Sequence, residues 1–111
     1  MESEAKIAFE TYYRIRTAYF ELDLQPEYRI KKTHNKGWIR ADLAIPSLLI
    51  LIEFKDHLQL DKREIDQRRE YQALNQCHGW RIIYCHSIGD IPSVLSQIRD
   101  RIEELTTEGS K

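Results

Sequence analysis

The sequence predicts an α/β fold in which helices flank one mixed four-stranded sheet. Two observations indicate this class. Three segments have apolar residues at helical spacing, namely 3–22, 61–77 and 93–105. Four shorter segments either alternate between apolar and polar residues or are continuously apolar, as strands are, namely 27–33, 38–45, 48–55 and 80–86. The short turns within 27–55 predict an antiparallel meander, and the helix at 61–77 predicts a parallel, right-handed connection to the last strand.

The first helix is predicted to begin after Ser3 as N-cap and to end before Gln25-Pro26. Its apolar stripe consists of Ala8, Tyr12, Ile15, Tyr19 and Leu22. In the first strand, Tyr28 and Ile30 lie on the face opposite Arg29 and Lys31. The second strand is predicted to present Trp38, Arg40, Asp42 and Ala44 on one face, and Ile39, Ala41, Leu43 and Ile45 on the other.

The later elements have equally local signals. The third strand is apolar on both faces, which predicts a central position in the sheet. The second helix is predicted to begin at Asp61 as N-cap and to end at Gly79. The last helix has an inward face of Val94, Leu95, Ile98, Ile102 and Leu105. We therefore expect a single domain at 1–105 and a disordered tail at 106–111.

Composition limits the function classes. The 111 residues carry a net charge of −1, so any attraction to nucleic acid must come from a local patch. The acidic N-terminus lacks the apolar region of a signal peptide, and no apolar stretch is long enough to span a membrane. Cys77 and Cys85 lack metal-ligand spacing and are expected to be reduced thiols, so the sequence predicts a cytoplasmic protein.

The pattern with the most chemical content is Asp42 followed by Glu53-Phe54-Lys55. Glu53 and Lys55 are two residues apart on a buried strand and share a face. Burying a charge costs several kcal/mol unless it is paired or binds a metal. Asp42 and Glu53 are therefore predicted to hold Mg²⁺ or Mn²⁺, with the Phe54 carbonyl as a further ligand. Lys55 is predicted to orient a metal-bound water for attack on a phosphate, or to stabilise the charge that develops on that phosphate.

Other residues have two interpretations each. The Asp and Glu-x-Lys pattern also arises by chance, and Glu53 with Lys55 could form a solvated ion pair. Gln67 shares a helical stripe with Tyr71 and Leu74, which favours a position near the third strand over a half-exposed helix start; Tyr71 is assigned to the core or the site lining. There are two additional candidates. For Glu4 an exposed helix start is at least as well supported as a site role, and for His57 an exposed loop position is favoured.

Basic residues cluster around the first turn and on the second helix. The candidate nucleic-acid contacts are Lys31, Lys32, Lys36, Arg40 and Arg69. Trp38 is suited either to stacking on a base or to ending a strand. A solvated face of mixed charge is the alternative, and it is stronger for the helix, where acids are interleaved, than for the turn.

The chain resembles the PD-(D/E)XK nuclease superfamily, whose restriction-endonuclease-like core has the element order αβββαβ. Asp42 matches the first acid, and Glu53 and Lys55 match the (D/E)XK pair. The segment 67–74, Gln-Arg-Arg-Glu-Tyr-Gln-Ala-Leu, resembles the Gln-x-x-x-Tyr motif of RecB-type nucleases and the helix glutamine of VRR-NUC and Holliday-junction-resolvase members. The segments 41–46 and 79–83 are similar to very-short-patch-repair-like endonucleases. Ala41 replaces the motif proline, and Lys55-Asp56-His57 departs from the last group.

The resemblance implies an Mg²⁺-dependent deoxyribonuclease, expected to be an endonuclease that leaves 5′-phosphates. Asp42 and Glu53 would hold the metal, Lys55 would position water, and Gln67 would support Lys55 or a phosphate. We expect no separate recognition domain in so short a chain. A homodimer or higher homo-oligomer is therefore expected. The alternatives are a non-catalytic nucleic-acid-binding or protein-interaction module of the same fold, or an interaction domain with a fortuitous Glu-x-Lys.

Overall fold

The structure is a computed structural model that describes residues 3–34, 36–54 and 62–109, without the side chains of 62–64. It is a mixed α/β fold, as predicted. The helices are α1 (Glu4–Ala18), α2 (Lys62–His78) and α3 (Ile91–Gly109). The strands are β1 (Gln25–Lys31), β2 (Trp38–Ile45), β3 (Ile50–Glu53) and β4 (Arg81–Tyr84). Short 3₁₀ turns occupy Pro46–Leu48 and Ile88–Asp90.

The four strands form one sheet in the order β1-β2-β3-β4. β1 pairs antiparallel with β2, β2 antiparallel with β3, and β3 parallel with β4. This confirms the predicted meander and the predicted parallel connection through a helix. All four residues of β3 are buried, which agrees with the central position that its apolar sequence predicts.

Apolar side chains cover both faces of the sheet. On one face, residues of β2, β3 and β4 pack with α1 and α3, and the cluster includes Ile15, Ile45, Ile52 and Ile98. On the other face, Ala44 and Leu51 pack with Tyr71 and Leu74 of α2. Because α2 begins beyond the end of β3 and ends beside the start of β4, its middle passes over the β3 terminus where Glu53 lies.

The predicted faces of β2 are wrong on one side of Asp42. Ile39 and Ala41 join Ala44 in the cluster beneath α2, so the alternation changes phase between Ala41 and Ala44. At this point the β1–β2 pairing omits Asp42 and its opposite residue, Glu27. Glu27 has a left-handed backbone with φ of 50°, which is uncommon for a residue with a side chain. The strand pair therefore bends here, a change that strict alternation cannot show.

Three predicted boundaries also need correction. α1 ends at Ala18. Its buried residues are Ile7, Thr11 and Ile15, and the other members of the predicted stripe are partly buried against the same core, namely Ala8, Tyr12, Tyr19 and Leu22. β3 begins at Ile50 because 46–48 form a 3₁₀ turn that ends in a left-handed Leu49. α3 continues to Gly109, so residues 106–109 of the expected disordered tail are helical; the Thr106 hydroxyl donates to the Ile102 carbonyl at 2.8 Å.

The remaining global predictions concern membranes and thiols. Within the described ranges, no helix is long and apolar enough to cross a lipid bilayer. Cys77 is exposed, Cys85 is buried, and both are free thiols.

Arg16 explains the early end of α1 and generates a prediction. Its guanidinium donates to the carbonyls of Phe20 and Leu22, both at 2.9 Å, and of Leu24 at 3.4 Å. Arg16→Ala is expected to lower the free energy of unfolding by about 2 kcal/mol, since partly buried carbonyls lose a charged donor. Arg14→Ala, on an exposed position of the same helix, should change it by less than about 0.5 kcal/mol. Urea unfolding measures both; equal losses would contradict this role of Arg16.

Candidate functional site

Asp42 and Glu53 face each other across two strands. β2 and β3 are paired with Leu43 opposite Ile52 and Ala44 opposite Leu51, and the next position in this register brings Asp42 opposite Glu53. The Glu53 carbonyl accepts from the amide of Cys85, the residue that follows β4, so the Glu53 backbone is directed away from β2. Asp42 and Glu53 therefore occupy a non-hydrogen-bonded position of the ladder, where opposed side chains approach most closely.

The Asp42 carboxylate is fixed by the backbone of the opposite strand. The Phe54 amide donates to Asp42 Oδ2 at 3.0 Å. This bond replaces the next rung of the sheet, because the main-chain pairing of β2 with β3 stops at Leu43 and Ile52. Asp42 thus serves as the end of the ladder, and its carboxylate is held at the edge where β3 ends.

Two side chains of α2 hold Glu53. The Tyr71 hydroxyl donates a short hydrogen bond to Glu53 Oε1. Gln67 Nε2 lies 2.7 Å from the Tyr71 hydroxyl oxygen and 3.4 Å from Glu53 Oε1, and it donates toward both. Gln67 is therefore beside the third strand, as its helical phase predicts. Tyr71, which the sequence assigns to the core or lining, also contacts the acid directly.

The burial of Glu53 and its closeness to Asp42 change the pKa of the Glu53 carboxyl. The pKa of Glu53 is raised from 4.5 to about 8, first by burial and then by Asp42, which accepts a hydrogen bond from the protonated form and repels the ionised one. The hydrogen bond from Tyr71 opposes this rise in the pKa. Burial and the charge of Glu53 raise the pKa of Tyr71, so its hydroxyl stays a donor. Without a cation, this site favours holding a proton.

The donor set is compatible with a hard cation. Mg²⁺ is commonly held by one or two carboxylates and retains several waters. Asp42 and Glu53 supply two carboxylates, and their repulsion would be relieved by a positive ion. The part of the chain that the structure describes contains no group of three or more His, Cys, Asp or Glu side chains suited to a metal. The predicted role of the Phe54 carbonyl stays a prediction, while its amide is used by Asp42.

For three candidate residues a place at this site stays a prediction. Lys55 and His57 lie outside the described residues, so their roles remain predictions. Glu4 is the first residue of α1, is exposed, and lies one turn before the buried Ile7. α1 packs with the face of the sheet opposite α2, so a contact between Glu4 and the acids also remains a prediction.

Two residues beside Glu53 were not assigned to the acid site from the sequence, although Arg68 belongs to the basic residues of the second helix. Tyr84 is opposite Glu53 in the parallel β3–β4 register. The Arg68 guanidinium carbon lies 5.3 Å from the centre of the Tyr84 ring. Arg68 Nε is buried and has no hydrogen-bond partner within the described residues. Burial raises the pKa of Tyr84, and the charge of Arg68 opposes the rise. The sequence offered two indirect signals. Arg68 directly follows Gln67, and β4 was predicted to pair with β3.

The candidate nucleic-acid contacts lie on two surfaces. Lys31 and Arg40 are exposed on the β1–β2 hairpin, Lys36 is exposed at its turn, and Lys32 is half-buried after β1. Arg69 is exposed on α2. The hairpin residues are joined there by Trp38, of which 57% is exposed.

Comparison with known proteins does not assign a family. No protein-family model, no curated protein and no solved structure matches this chain. Any function must therefore be argued from the arrangement of the residues.

The raised pKa of Glu53 makes stability depend on pH. Folded Glu53 keeps its proton up to about pH 8, whereas the unfolded residue loses it near 4.5. In EDTA, this residue's contribution to stability should therefore fall between these values as pH rises, by at most about 1.4 kcal/mol per pH unit. Glu53→Gln, which stays neutral, should gain in unfolding free energy relative to wild type from pH 5 to pH 8. Denaturant titrations measure the difference.

Asp42→Asn provides the matched control for this prediction. It removes the negative neighbour that raises the pKa of Glu53, so the interval of pH dependence should shorten. A difference between Glu53→Gln and wild type that stays constant across pH would contradict the explanation.

Proposed function

We propose that this protein is a metal-dependent deoxyribonuclease of the PD-(D/E)XK type, which hydrolyses phosphodiester bonds and acts as an endonuclease. The observation that carries the proposal is the approach of the Asp42 and Glu53 carboxyls at the end of a buried strand. Such a pair is unfavourable in an apolar setting unless it holds a proton or a cation. Two acids side by side are what Mg²⁺ with substrate phosphate oxygens requires.

The neighbouring residues have roles that follow from their contacts. Tyr71 and Gln67 orient Glu53 through hydrogen bonds, and the Phe54 amide orients Asp42. These contacts fix both carboxylates before a substrate arrives, which avoids a reorganisation cost during reaction. Bound Mg²⁺ would activate water and neutralise charge on the phosphate. Lys55 is assigned to stabilising the developing charge, and Arg68 supplies a nearby cation for a phosphate oxygen.

The family assignment is supported by the combination of topology and residue placement. The αβββαβα order, the acids on adjacent strands and Gln67 with Tyr71 over the (D/E)XK strand all agree with the resemblance. The reaction would place water oxygen on phosphorus and release the 3′ oxygen, leaving a 5′-phosphate as the resemblance implies. A homodimer or higher homo-oligomer remains part of the proposal, because one small domain offers limited surface for choosing a DNA site.

Metal binding is tested first by thermal unfolding. Mn²⁺ at about ten times its dissociation constant is expected to raise the Tm of wild type by roughly 5 °C at pH 8, since binding to the folded state alone adds about 1.4 kcal/mol. Asp42→Asn should have a higher Tm than wild type in EDTA, because repulsion is removed, and should not respond to Mn²⁺. Asp100→Asn, an exposed acid on α3, should respond like wild type. An equal Mn²⁺ response in all three proteins would place the metal elsewhere.

Cleavage is tested with wild type, Asp42→Ala and Lys55→Ala. Each is incubated with Mg²⁺ and with duplex, single-stranded or branched DNA. Both substitutions are expected to lower the cleavage rate at least about a hundredfold, because a metal ligand or a charge-stabilising group is lost. Arg14→Ala should retain the wild-type rate, and EDTA should abolish cleavage.

Two other outcomes would contradict the nuclease assignment. Equal cleavage by all variants would identify a contaminating enzyme. Absence of cleavage by wild type, with DNA binding intact, would favour the alternative of a non-catalytic binding module.

A further inference from the structure

The outer face of the β1–β2 hairpin combines an exposed indole with three cations. In the strand pairing, Lys31 lies opposite Trp38 and Arg29 lies opposite Arg40. These four residues share the face that points away from α2, because Tyr28, Ile30, Ile39 and Ala41 occupy the inner face. The Arg29 guanidinium carbon is 5.5 Å from the centre of the Trp38 ring, so the aromatic and basic side chains form one continuous surface.

The positive charges of this surface are only partly balanced within the described residues. Like charges directly opposite each other on a sheet are destabilising, and Arg29 faces Arg40 in this way. Arg40 has an acidic neighbour, Glu27, but the two charges are 3.9 Å apart and both side chains are mostly exposed. Such a pair contributes little in water. The exposed Trp38 also has more than half of its surface in solvent. An anion with flat apolar rings would satisfy both features.

Charge is concentrated on the hairpin. Residues 25–40 contain five Lys and Arg residues and one acid, a local charge of +4, while the whole chain carries −1. The rest of the chain carries the remaining net negative charge, so the hairpin is the segment that most favours the approach of a polyanion. A fully paired duplex keeps its bases stacked inside, so the indole can be used only by unpaired bases.

The basic face and the acids are connected by β2, although the face points away from α2 and Glu53 contacts that helix. β2 runs from Trp38 through Arg40 to Asp42, and four residues of strand span about 13 Å. We propose that the face formed by Arg29, Lys31, Trp38 and Arg40 binds single-stranded DNA, with a base stacked on Trp38 and phosphates on the three cations. One consequence of this proposal rests on the proposed nuclease function, namely that the unpaired segment of DNA adjoins the cleaved bond. The substrate class is then a flap, branch or single strand.

Binding is tested in EDTA, so that cleavage plays no part. The probes are a fluorescent oligo-dT, an abasic oligonucleotide with the same number of phosphates, and a blunt duplex of similar length. Wild type should bind oligo-dT roughly tenfold more tightly than the abasic strand, and more tightly than the duplex. Oligo-dT should also quench the fluorescence of exposed Trp38, since the other tryptophan, Trp80, is buried.

The variants separate stacking from charge. Trp38→Ala should lose the preference for oligo-dT over the abasic strand while still binding the abasic strand, and Trp38→Phe should keep part of the preference. Arg29→Ala should weaken both strands and reduce the salt dependence by about one counterion. Phe9→Ala, which removes an exposed aromatic residue on α1, should behave like wild type.

The results that overturn the proposal differ from those that overturn the nuclease. Equal affinity of wild type for oligo-dT and the abasic strand would remove the stacking role. Duplex binding as tight as single-strand binding would assign the face to duplex DNA, and an unchanged preference in Trp38→Ala would place the stacking elsewhere. If wild type gives any of these results and still cleaves DNA in Mg²⁺, the nuclease assignment stands and the proposed role of this surface is rejected.

Discussion

The structure depends on two acids held against each other at the end of a buried strand. The β2–β3 register places Asp42 opposite Glu53, and the sheet stops there because the Phe54 amide turns to the Asp42 side chain. Burial and repulsion raise the pKa of Glu53 to about 8. Apolar contacts cannot relieve the repulsion between the two carboxylates, but binding of a proton or a cation can. Tyr71 and Gln67 keep Glu53 in place by donating to it, so α2 acts as a support for the carboxylate as well as a cover for the sheet.

The bend beside Asp42 links this site to the hairpin. Glu27 adopts a left-handed backbone opposite the acid, and the strand pair changes phase there. As a result, Ile39 and Ala41 turn toward α2 and the Thr33 amide reaches Glu70 of α2 at 3.2 Å. The same rotation turns Trp38 and Arg40 outward. One local conformation therefore accounts both for the packing of the hairpin on α2 and for the outward position of Trp38 and Arg40.

Local pattern was enough for the elements and for part of the site. Alternation and turns predicted β2 at 38–45, and helical phase placed Gln67 beside β3. Features that depend on partners distant in sequence were not predictable in this way. Arg16 donates to carbonyls up to eight residues ahead, in the segment after α1. Helical phase places Tyr71 on the inward side of α2, but it does not show that the Tyr71 hydroxyl donates to Glu53. Tyr84 and Arg68 required the β3–β4 register, which the sequence does not specify.

The distribution of charge indicates how the two surfaces divide their tasks. A chain with a net charge of −1 gains no general attraction to DNA, so under the proposed function we expect encounter to begin at the hairpin, where cations are concentrated. The acids alone would repel a phosphate that approached from solution. A cation between them would reverse that repulsion, and a strand bound at the hairpin as proposed would raise the effective concentration of its phosphates near the acids. In the two proposals, DNA binding on the outer face of the hairpin and catalysis at Asp42 and Glu53 are therefore separable functions, and β2 is the element that the two sites share.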